Sequence, residues 1–411
     1  MHIVLCSRHY PPETGRGGLG TYTRNLAHGL AETGHHVWVV SSSPAATIEE
    51  RDGRVRVLRF EFRWKNHLFF PQTRNALRYS FGVARSLRRL GRDRKIDVVQ
   101  CPELLAEGLF ASFRRRAPMV IRSAMPLASL GRTNARAWSG GWLRRLDRAW
   151  VGWLESWGRR RADLRIAPSS SIADDATIVI PNGTDLDHFR PTSRSAAREK
   201  AGIPDEAKIF LYIGPLEYRK GVHLLPAAFR EVAERDRNAM LVVAGTDHLS
   251  APGSGSMRRW LEIRLEIEGI EDRALFLGTV SHESLPGVYA MADVLVVPSL
   301  VESFGNVVVE AMATGLPIIA TLSGGPQEIV RHGETGILVP PNNTTALTSA
   351  MCEILLDPEA ARDAGHAARH DAVARFDRKL MARRTASVYR NLVESRSDDE
   401  ISSVHEVRQS T

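Results

Sequence analysis

Val294-Leu-Val-Val-Pro298-Ser-Leu-Val-Glu302-Ser-Phe-Gly-Asn306-Val-Val-Val-Glu310-Ala-Met-Ala-Thr-Gly315-Leu-Pro317-Ile-Ile-Ala-Thr321 is the stretch whose reading decides the fold. The β-branched run Val294 to Pro298 reads as a buried strand. A loop carrying Glu302 follows, and a helix opens near Phe304 to Asn306. Gly315 and Pro317 stop that helix, as a C-terminal glycine and a proline just beyond it do. A second buried strand then runs Pro317 to Thr321. Strand, loop, helix and strand in so short a span form a βαβ unit, the repeating element of a parallel sheet.

The same alternation fills the chain in both directions. Further strands are expected at Ile209 to Gly214, Met240 to Gly245, Ala274 to Gly278 and Gly336 to Val339. An earlier series comprises Ile3 to Cys6, His36 to Ser41, Val55 to Phe60, Asp97 to Gln100, Met119 to Arg122, Leu164 to Ala167 and Thr177 to Ile180. Helical patterns between the runs imply parallel sheets covered on both faces. Pro181-Asn-Gly-Thr and the charged Ser193 to Lys200 interrupt the pattern between the two series. The expected fold class is therefore α/β, with two tandem Rossmann-like doubly wound domains, residues 1–182 and 183–375. A helix over about 376–393 is expected to pack back on the first domain, and the polar residues 394–411 are expected to be a disordered tail. Ligands of open α/β sheets sit beyond the carboxyl ends of the strands, so two such domains facing each other would enclose donor and acceptor sites in a cleft.

Composition agrees with this class. The chain has 411 residues, 43% hydrophobic and 25% charged, which is ample for two cores, and its 21 prolines are an ordinary globular share. Collagen-like, disordered and disulfide-scaffold classes are excluded. Cys6, Cys101 and Cys352 stand far apart with no Cys-x-x-Cys pair, which argues against a disulfide framework or a zinc site and fits a reducing cytoplasm. The opening Met1-His-Ile-Val-Leu-Cys meets Arg8 and two prolines too soon for a signal peptide, and no apolar run approaches the roughly 18 residues of a membrane span. A formal charge of +8 favours anionic partners, although only six of the 55 basic residues are lysine, a skew that GC-rich coding produces by itself.

The chemistry concentrates around two carboxylates. The backbone amides of Ser303, Phe304, Gly305 and Asn306 are expected to be unpaired at a helix N-terminus, whose partial charge of about half a unit suits a diphosphate. Glu302 precedes that helix and Glu310 lies one to two turns inside it. Two carboxylates so placed can hold different hydroxyls of one ligand while the amides between them face its phosphates, which is how a sugar nucleotide would be recognised. The plain alternative is a loop Glu and a solvated helical Glu. Against it, Val307-Val-Val and Ala311-Met-Ala make this helix buried, and a buried carboxylate needs a partner.

This block resembles the family-4 retaining glycosyltransferases, which have the GT-B architecture of two facing Rossmann-like domains. Their Glu-x7-Glu signature matches Glu302 and Glu310, and Gly324-Gly-Pro-Gln-Glu328 and His332-Gly-Glu-Thr-Gly-Ile-Leu-Val look like the family's next segments. The resemblance spans nearly the whole chain. It implies that Glu310 binds the donor ribose, and that Glu302 with the following amides meets the transferred sugar and its phosphates. Gly214-Pro-Leu-Glu-Tyr-Arg219-Lys220-Gly221 resembles the family's Gly-Arg-Leu-x-x-x-Lys-Gly segment, whose two cations neutralise the donor diphosphate. Lys220 matches; Pro215 stands where the arginine is expected, and Arg219 is the candidate replacement. Pro11-Pro-Glu-Thr-Gly-Arg16-Gly17-Gly18-Leu-Gly20 is a glycine-rich loop before a helix, so Gly17 and Gly18 are carried as donor-phosphate or acceptor contacts, with Arg16 as a possible extra cation. Base contacts are expected from the backbone near Gly278 to Val280.

Two departures accompany the match. The family commonly has a histidine after the strand ending at Arg122, and Ala124 occupies that place, leaving His9 or another group to substitute. Asp185-x-Asp187 has metal-ligand spacing, but it follows Pro-Asn-Gly at a domain boundary without a nearby third ligand, so no metal is assigned.

Residues 132–161 hold Trp138, Trp142, Trp150, Trp153 and Trp157 with eight arginines against Asp147 and Glu155. Trp150, Trp153 and Trp157 share one helical stripe. A helix lying on an anionic membrane surface and a core-facing helix with solvated arginines both fit, and Phe62-Arg-Trp-Lys-Asn-His-Leu-Phe-Phe70 is a second patch of the same kind. No helix-turn-helix, zinc or RNP-like signature points to nucleic acid.

The resemblance thus implies a cytoplasmic, metal-independent retaining hexosyltransferase, and the basic aromatic stretch leaves open a peripheral place at the inner face of a membrane. Such an enzyme needs no cofactor and transfers a sugar from a nucleoside diphosphate to a hydroxyl acceptor. Lys220, Glu302 and Arg219 are the catalytic candidates, and Gly17, Gly18, Gly214, Val280, Ser303, Phe304, Gly305, Asn306 and Glu310 the donor-binding ones. A phosphorylase or synthase of the same architecture and a sugar-nucleotide-binding protein with little turnover are the alternatives.

Overall fold

The computed structural model describes residues 1–12, 17–113, 117–123, 142–252 and 255–409. Contacts divide the chain into two units. The first takes the described residues up to Gly183 together with the segment from Arg378 onward, and the second takes Thr184–Asp377.

The first unit holds an eight-stranded sheet: β1 (His2–Cys6), β2 (His36–Ser43), β3 (Ile48–Asp52), β4 (Val55–Glu61), β5 (Val98–Pro102), β6 (Met119–Arg122), β7 (Leu164–Ala167) and β8 (Thr177–Val179). Its order is β3-β4-β2-β1-β5-β6-β7-β8. All pairs are parallel except β3 with β4. Alternate residues of each central strand enter opposite cores: Ile3, Leu5, Val37 and Val39 on one face, Val4, Cys6, Trp38 and Val40 on the other. A sheet buried on both faces is what the continuous apolar runs require. Strand β3 has no such run. Ile48-Glu-Glu-Arg-Asp is an edge strand, turned antiparallel onto β4 by the two-residue loop Gly53-Arg54, where Gly53 takes a φ of +59°.

The second unit holds β9 (Lys208–Ile213), β10 (Ala239–Ala244), β11 (Ala274–Gly278), β12 (Val294–Val297), β13 (Ile318–Thr321) and β14 (Gly336–Val339). These six form one sheet in the order β11-β10-β9-β12-β13-β14, every pair parallel. Phe210, Leu241, Val243, Val294 and Val296 face one core; Ile209, Leu211, Val242, Leu295 and Val297 face the other. The chain leaves β9 towards β11 and returns to the opposite side at β12, so β9 and β12 flank the switch point at which doubly wound sheets bind ligands.

The last helix, Arg378–Gln409, belongs to the first unit. Met381, Ala382, Ala386 and Tyr389 complete the core beside Ile3 and Leu5. Its approach is close: a Cβ on Gly29 would stand 2.6 Å from the Arg378 carbonyl oxygen. The residues from Glu394 onward, expected to be a disordered tail, continue this helix to Gln409, and no glycine or proline in that stretch stops it.

In the helix Trp142–Arg160 the buried positions are Asp147, Val151, Leu154, Glu155 and Gly158, whereas Trp142, Trp150 and Trp153 are exposed. The helix is core-facing, as one alternative had it, but of the tryptophan stripe only Trp157 is half-buried, packed on Leu109 and Leu154, and Trp150 and Trp153 stay outside. Asp147 receives hydrogen bonds from the amides of Gln72 and Thr73, each at 2.9 Å, capping the helix Pro71–Asp93; Glu155 receives the Leu105 amide at 2.8 Å. Trp138 lies outside the described residues.

Candidate active site

The site is assembled from the loops that follow β9 and β12. After β9 the chain makes a short turn, Tyr218–Lys220, and reverses at Gly221 with φ +68°. A Cβ at Gly221 would stand 1.8 Å from the carbonyl oxygen of Pro298, so only glycine lets this turn lie against the end of β12. The Leu300 amide then donates to the Arg219 carbonyl at 2.9 Å. In this arrangement the Lys220 ammonium forms an ion pair with Glu302 Oε2, and Arg219 Nε pairs with Glu217 Oε2 at 2.5 Å.

Burial pushes the Glu302 carboxyl up, but the Lys220 charge, the Arg219 charge and the Ser303 amide outweigh it and hold the carboxyl below its ordinary value. Glu302 is thus an anion that already faces two cations. Adjacent side chains in a turn commonly diverge, yet Arg219 and Lys220 both act on Glu302 here, one through its field and one by direct contact. Pro215, in the place of the family's arginine, has a structural part: its carbonyl accepts the Tyr212 hydroxyl and the Glu217 amide, both at 2.8 Å.

The loop from Pro298 to Gly305 is pinned by the segment after β13. Ser323 Oγ donates to the Leu300 carbonyl at 2.8 Å, the Gly325 amide donates to the Glu302 carbonyl at 3.0 Å, and a Cβ on Gly325 would meet Phe304 Cα at 2.3 Å. The helix Asn306–Thr314 starts after Gly305, at φ +101°, without a side-chain cap. One expectation is corrected. The Ser303 amide is not left for a ligand, because the Glu302 carboxylate lies close enough to accept it. The amides of Phe304 and Gly305 have no partner among the described residues and are available at this helix start.

Glu310 is 4% exposed, and the partner its burial demands is the Tyr289 hydroxyl, which donates to Oε2 at 2.8 Å. Burial raises the Glu310 carboxyl to about 7, with the Tyr289 hydrogen bond pulling the other way. Tyr289, on the helix Leu285–Met291, carries no motif that sequence reasoning could have used. Gly214 has a φ of +156°, and its carbonyl oxygen would be 1.7 Å from a Cβ on Gly245, so the turns after β9 and β10 touch backbone to backbone. Val280, two residues past β11, is half-buried.

The remaining candidates belong to other segments of the chain. Gly17 and Gly18 belong to the first unit, where Gly17, at φ +133°, caps the helix Gly18–Glu32 and nothing within 4 Å would meet a Cβ there. His9 follows β1 in the same unit. Arg16 and Ala124 fall outside the described residues. Asp185 Oδ1 accepts the amides of Asp187 and His188 at 3.1 and 3.2 Å, which makes it a turn cap. Arg122, buried, ties the Pro-Asn-Gly segment to the first sheet by donating to Asn182 Oδ1 at 2.6 Å, a contact the sequence did not suggest. Among the described residues no group of three His, Cys, Asp or Glu is placed to hold a metal, and no helix is long and apolar enough to cross a membrane.

Two doubly wound sheets, with the site at the switch point of the second, are what the GT-B glycosyltransferases have, and the comparisons put the chain among them. Residues 17–182 match the model described as Glycosyl transferase 4-like domain, and 193–371 match Glycosyl transferases group 1. The chain belongs to this nucleotide-sugar-binding glycosyltransferase family.

Among its relatives, the glycogen synthase of Mycobacterium tuberculosis is 30% identical over 95% of this chain and 94% of that protein. The solved sucrose-phosphate synthase from Thermosynechococcus elongatus superposes with a TM-score of 0.79 at 28% identity, covering 96% of this chain and 99% of the other. Anabaena HepE in complex with UDP-glucose shares the fold at a TM-score of 0.69 and 20% identity, over 95% of this chain and all of that one.

Proposed function

We propose that this glycosyltransferase moves a hexosyl group from a nucleoside diphosphate to a hydroxyl acceptor, with retention at the anomeric carbon and without a metal ion. The observation that carries the reading is the convergence of Lys220, Arg219 and Glu302 at the switch point between β9 and β12. A diphosphate arriving there replaces carboxylates as the partner of the two cations, so the charge that develops on the leaving group meets positive side chains already in place. Phe304 and Gly305 donate their amides to the phosphates, and Glu310 accepts the ribose hydroxyls. Glu302 meets the transferred sugar, while Gly214 and Val280 line the nucleotide. Gly17 and Gly18 are assigned to donor-phosphate or acceptor contact. Retention here needs no protein nucleophile: the acceptor hydroxyl approaches the face that the diphosphate leaves, and Glu302 and Glu310 act as binders.

The complex of HepE with UDP-glucose makes glucosyl nucleotides the first donors to test. The test is calorimetric binding of nucleoside diphosphates and their glucosyl derivatives, followed by product analysis by NMR with and without EDTA. Binding of a sugar nucleotide, transfer that survives EDTA and a product of unchanged anomeric configuration are expected. An inverted product, a strict divalent requirement that promotes Asp185 and Asp187 to ligands, or no binding of any sugar nucleotide would overturn the assignment.

A further inference from the structure

Among the described residues, every exposed Trp and Phe lies in the first unit, and most are gathered around the helix Trp142–Arg160. Trp142 is 70% exposed, and Trp150 and Trp153 are each 51% exposed. The rings form a continuous series: Trp150 to Trp153 at 5.7 Å between centroids, Trp153 to Trp157 at 5.1 Å, Trp157 to Phe113 at 5.3 Å, and Phe113 to Phe110 at 6.4 Å. Asp147, by capping the helix that begins at Pro71, also ties to this helix the segment carrying Leu68, 87% exposed, and Phe69. Contiguous apolar surface of this extent marks an interaction site.

The charge on this face identifies the partner. Asp147 and Glu155 are the helix's two acids, and both are buried against backbone amides, while Arg145 and Arg160, which flank the tryptophans at helical spacing, are exposed. The face therefore presents tryptophan and arginine without a carboxylate from its own helix. Phe110 further lines a cavity of about 400 Å³, with Ile96 and Met119 as apolar wall and Arg88, Arg94 and Lys95 as cations. Apolar walls beside cations suit an anionic amphiphile. A symmetric dimer through this face would bring the same arginines of both copies together. A base-stacking platform is also disfavoured, since Trp150 and Trp153 pack edge to face on each other with planes at 81°.

We propose that this face docks on an anionic phospholipid bilayer, with Trp142, Trp150 and Trp153 entering the interface and Arg145 and Arg160 meeting lipid phosphates. The proposal goes beyond the donor-site reading and does not depend on it. The test is flotation of the full chain, at low salt, with vesicles of phosphatidylglycerol and phosphatidylcholine in equal parts or of phosphatidylcholine alone. Flotation is expected with the mixed vesicles and weakly or not at all with the neutral ones. The double variant Trp150→Ser, Trp153→Ser should lose about tenfold in partitioning, and Arg145→Glu with Arg160→Glu at least as much. Nucleotide binding should be unchanged in both, which confirms that each variant is folded. Three outcomes would overturn the proposal: no flotation of the natural chain with anionic vesicles, equal flotation of the natural chain and both variants, or light scattering that shows a dimer which the tryptophan variant dissociates.

Discussion

The Tyr289 hydroxyl donates to Glu310 Oε2 at 2.8 Å, and both residues are buried in the second unit. A carboxyl so placed prefers its proton in the ligand-free protein, whereas the role proposed for it, accepting hydroxyls of a ribose, favours the anion. Nucleotide binding and the protonation of Glu310 are therefore linked.

That linkage has a definite sign. The folded carboxyl titrates at about 7 against an ordinary value of 4.5. A raised value means that the folded state binds the proton more tightly, so the contribution to stability is fully present below about pH 4.5 and is lost as the pH rises through about 7. Thermal unfolding of the ligand-free protein and of Glu310→Gln, compared from pH 4.5 to 8, should show the natural chain losing on the order of 3 kcal/mol relative to the variant. Parallel curves would place the carboxyl at its ordinary value.

Tyr289→Phe removes the donor and leaves the carboxylate with less support. A stability loss of about 1 to 3 kcal/mol near neutral pH is expected, together with weaker nucleoside diphosphate binding. Glu310→Ala should weaken that binding by about ten- to a hundredfold and leave the fold intact. Unchanged calorimetric affinity in Glu310→Ala would remove the ribose assignment.

Lys220→Ala should lower turnover by about a hundredfold, the scale of losing one preorganised group that stabilises a leaving anion. Because it also strands Glu302, it should destabilise the protein by up to about 3 kcal/mol, and the rate is to be measured below the variant's unfolding range. Lys220→Arg, which keeps the charge, should retain most of the stability. If Lys220→Ala turns over normally while Arg219→Ala does not, the leaving-group role passes to Arg219.

Gly221→Ala forces a Cβ into the Pro298 carbonyl at a backbone φ of +68°. The turn must move away from β12, taking Lys220 from Glu302. A loss of more than about 2 kcal/mol in denaturant unfolding is expected, with reduced turnover in the fraction that remains folded. A neutral effect would show that the two loops need not touch.

Most of the strands were legible because their signal is local: apolar runs of a few residues, closed by glycine, proline or a polar loop, suffice to mark a strand buried on both faces. Strand β3 was not legible, since Ile48-Glu-Glu-Arg-Asp has no such run and owes its place to pairing with β4. Glu302, Glu310 and Lys220 stood out because their spacing around predicted turns resembles the motifs of the family-4 glycosyltransferases. Tyr289 did not, since a tyrosine on a short helix acquires meaning only when the helix carrying Glu310 packs beside it.

From the sequence alone came the α/β class, the two series of βαβ units and the carboxylates around one helix start, all of which rest on patterns within one or two elements. Tertiary structure alone chose partners across long separations: Lys220 with Glu302 over 82 residues, and Thr73 with Asp147 over 74. The helix Trp142–Arg160 shows why. Its tryptophans and its Asp147, Val151, Leu154, Glu155 and Gly158 both recur at helical spacing, so periodicity permits either stripe to face inward. The amides of Gln72, Thr73 and Leu105 decide the matter, because they give the two acids hydrogen bonds inside the protein and leave Trp142, Trp150 and Trp153 outside, with Trp157 half-buried at the edge.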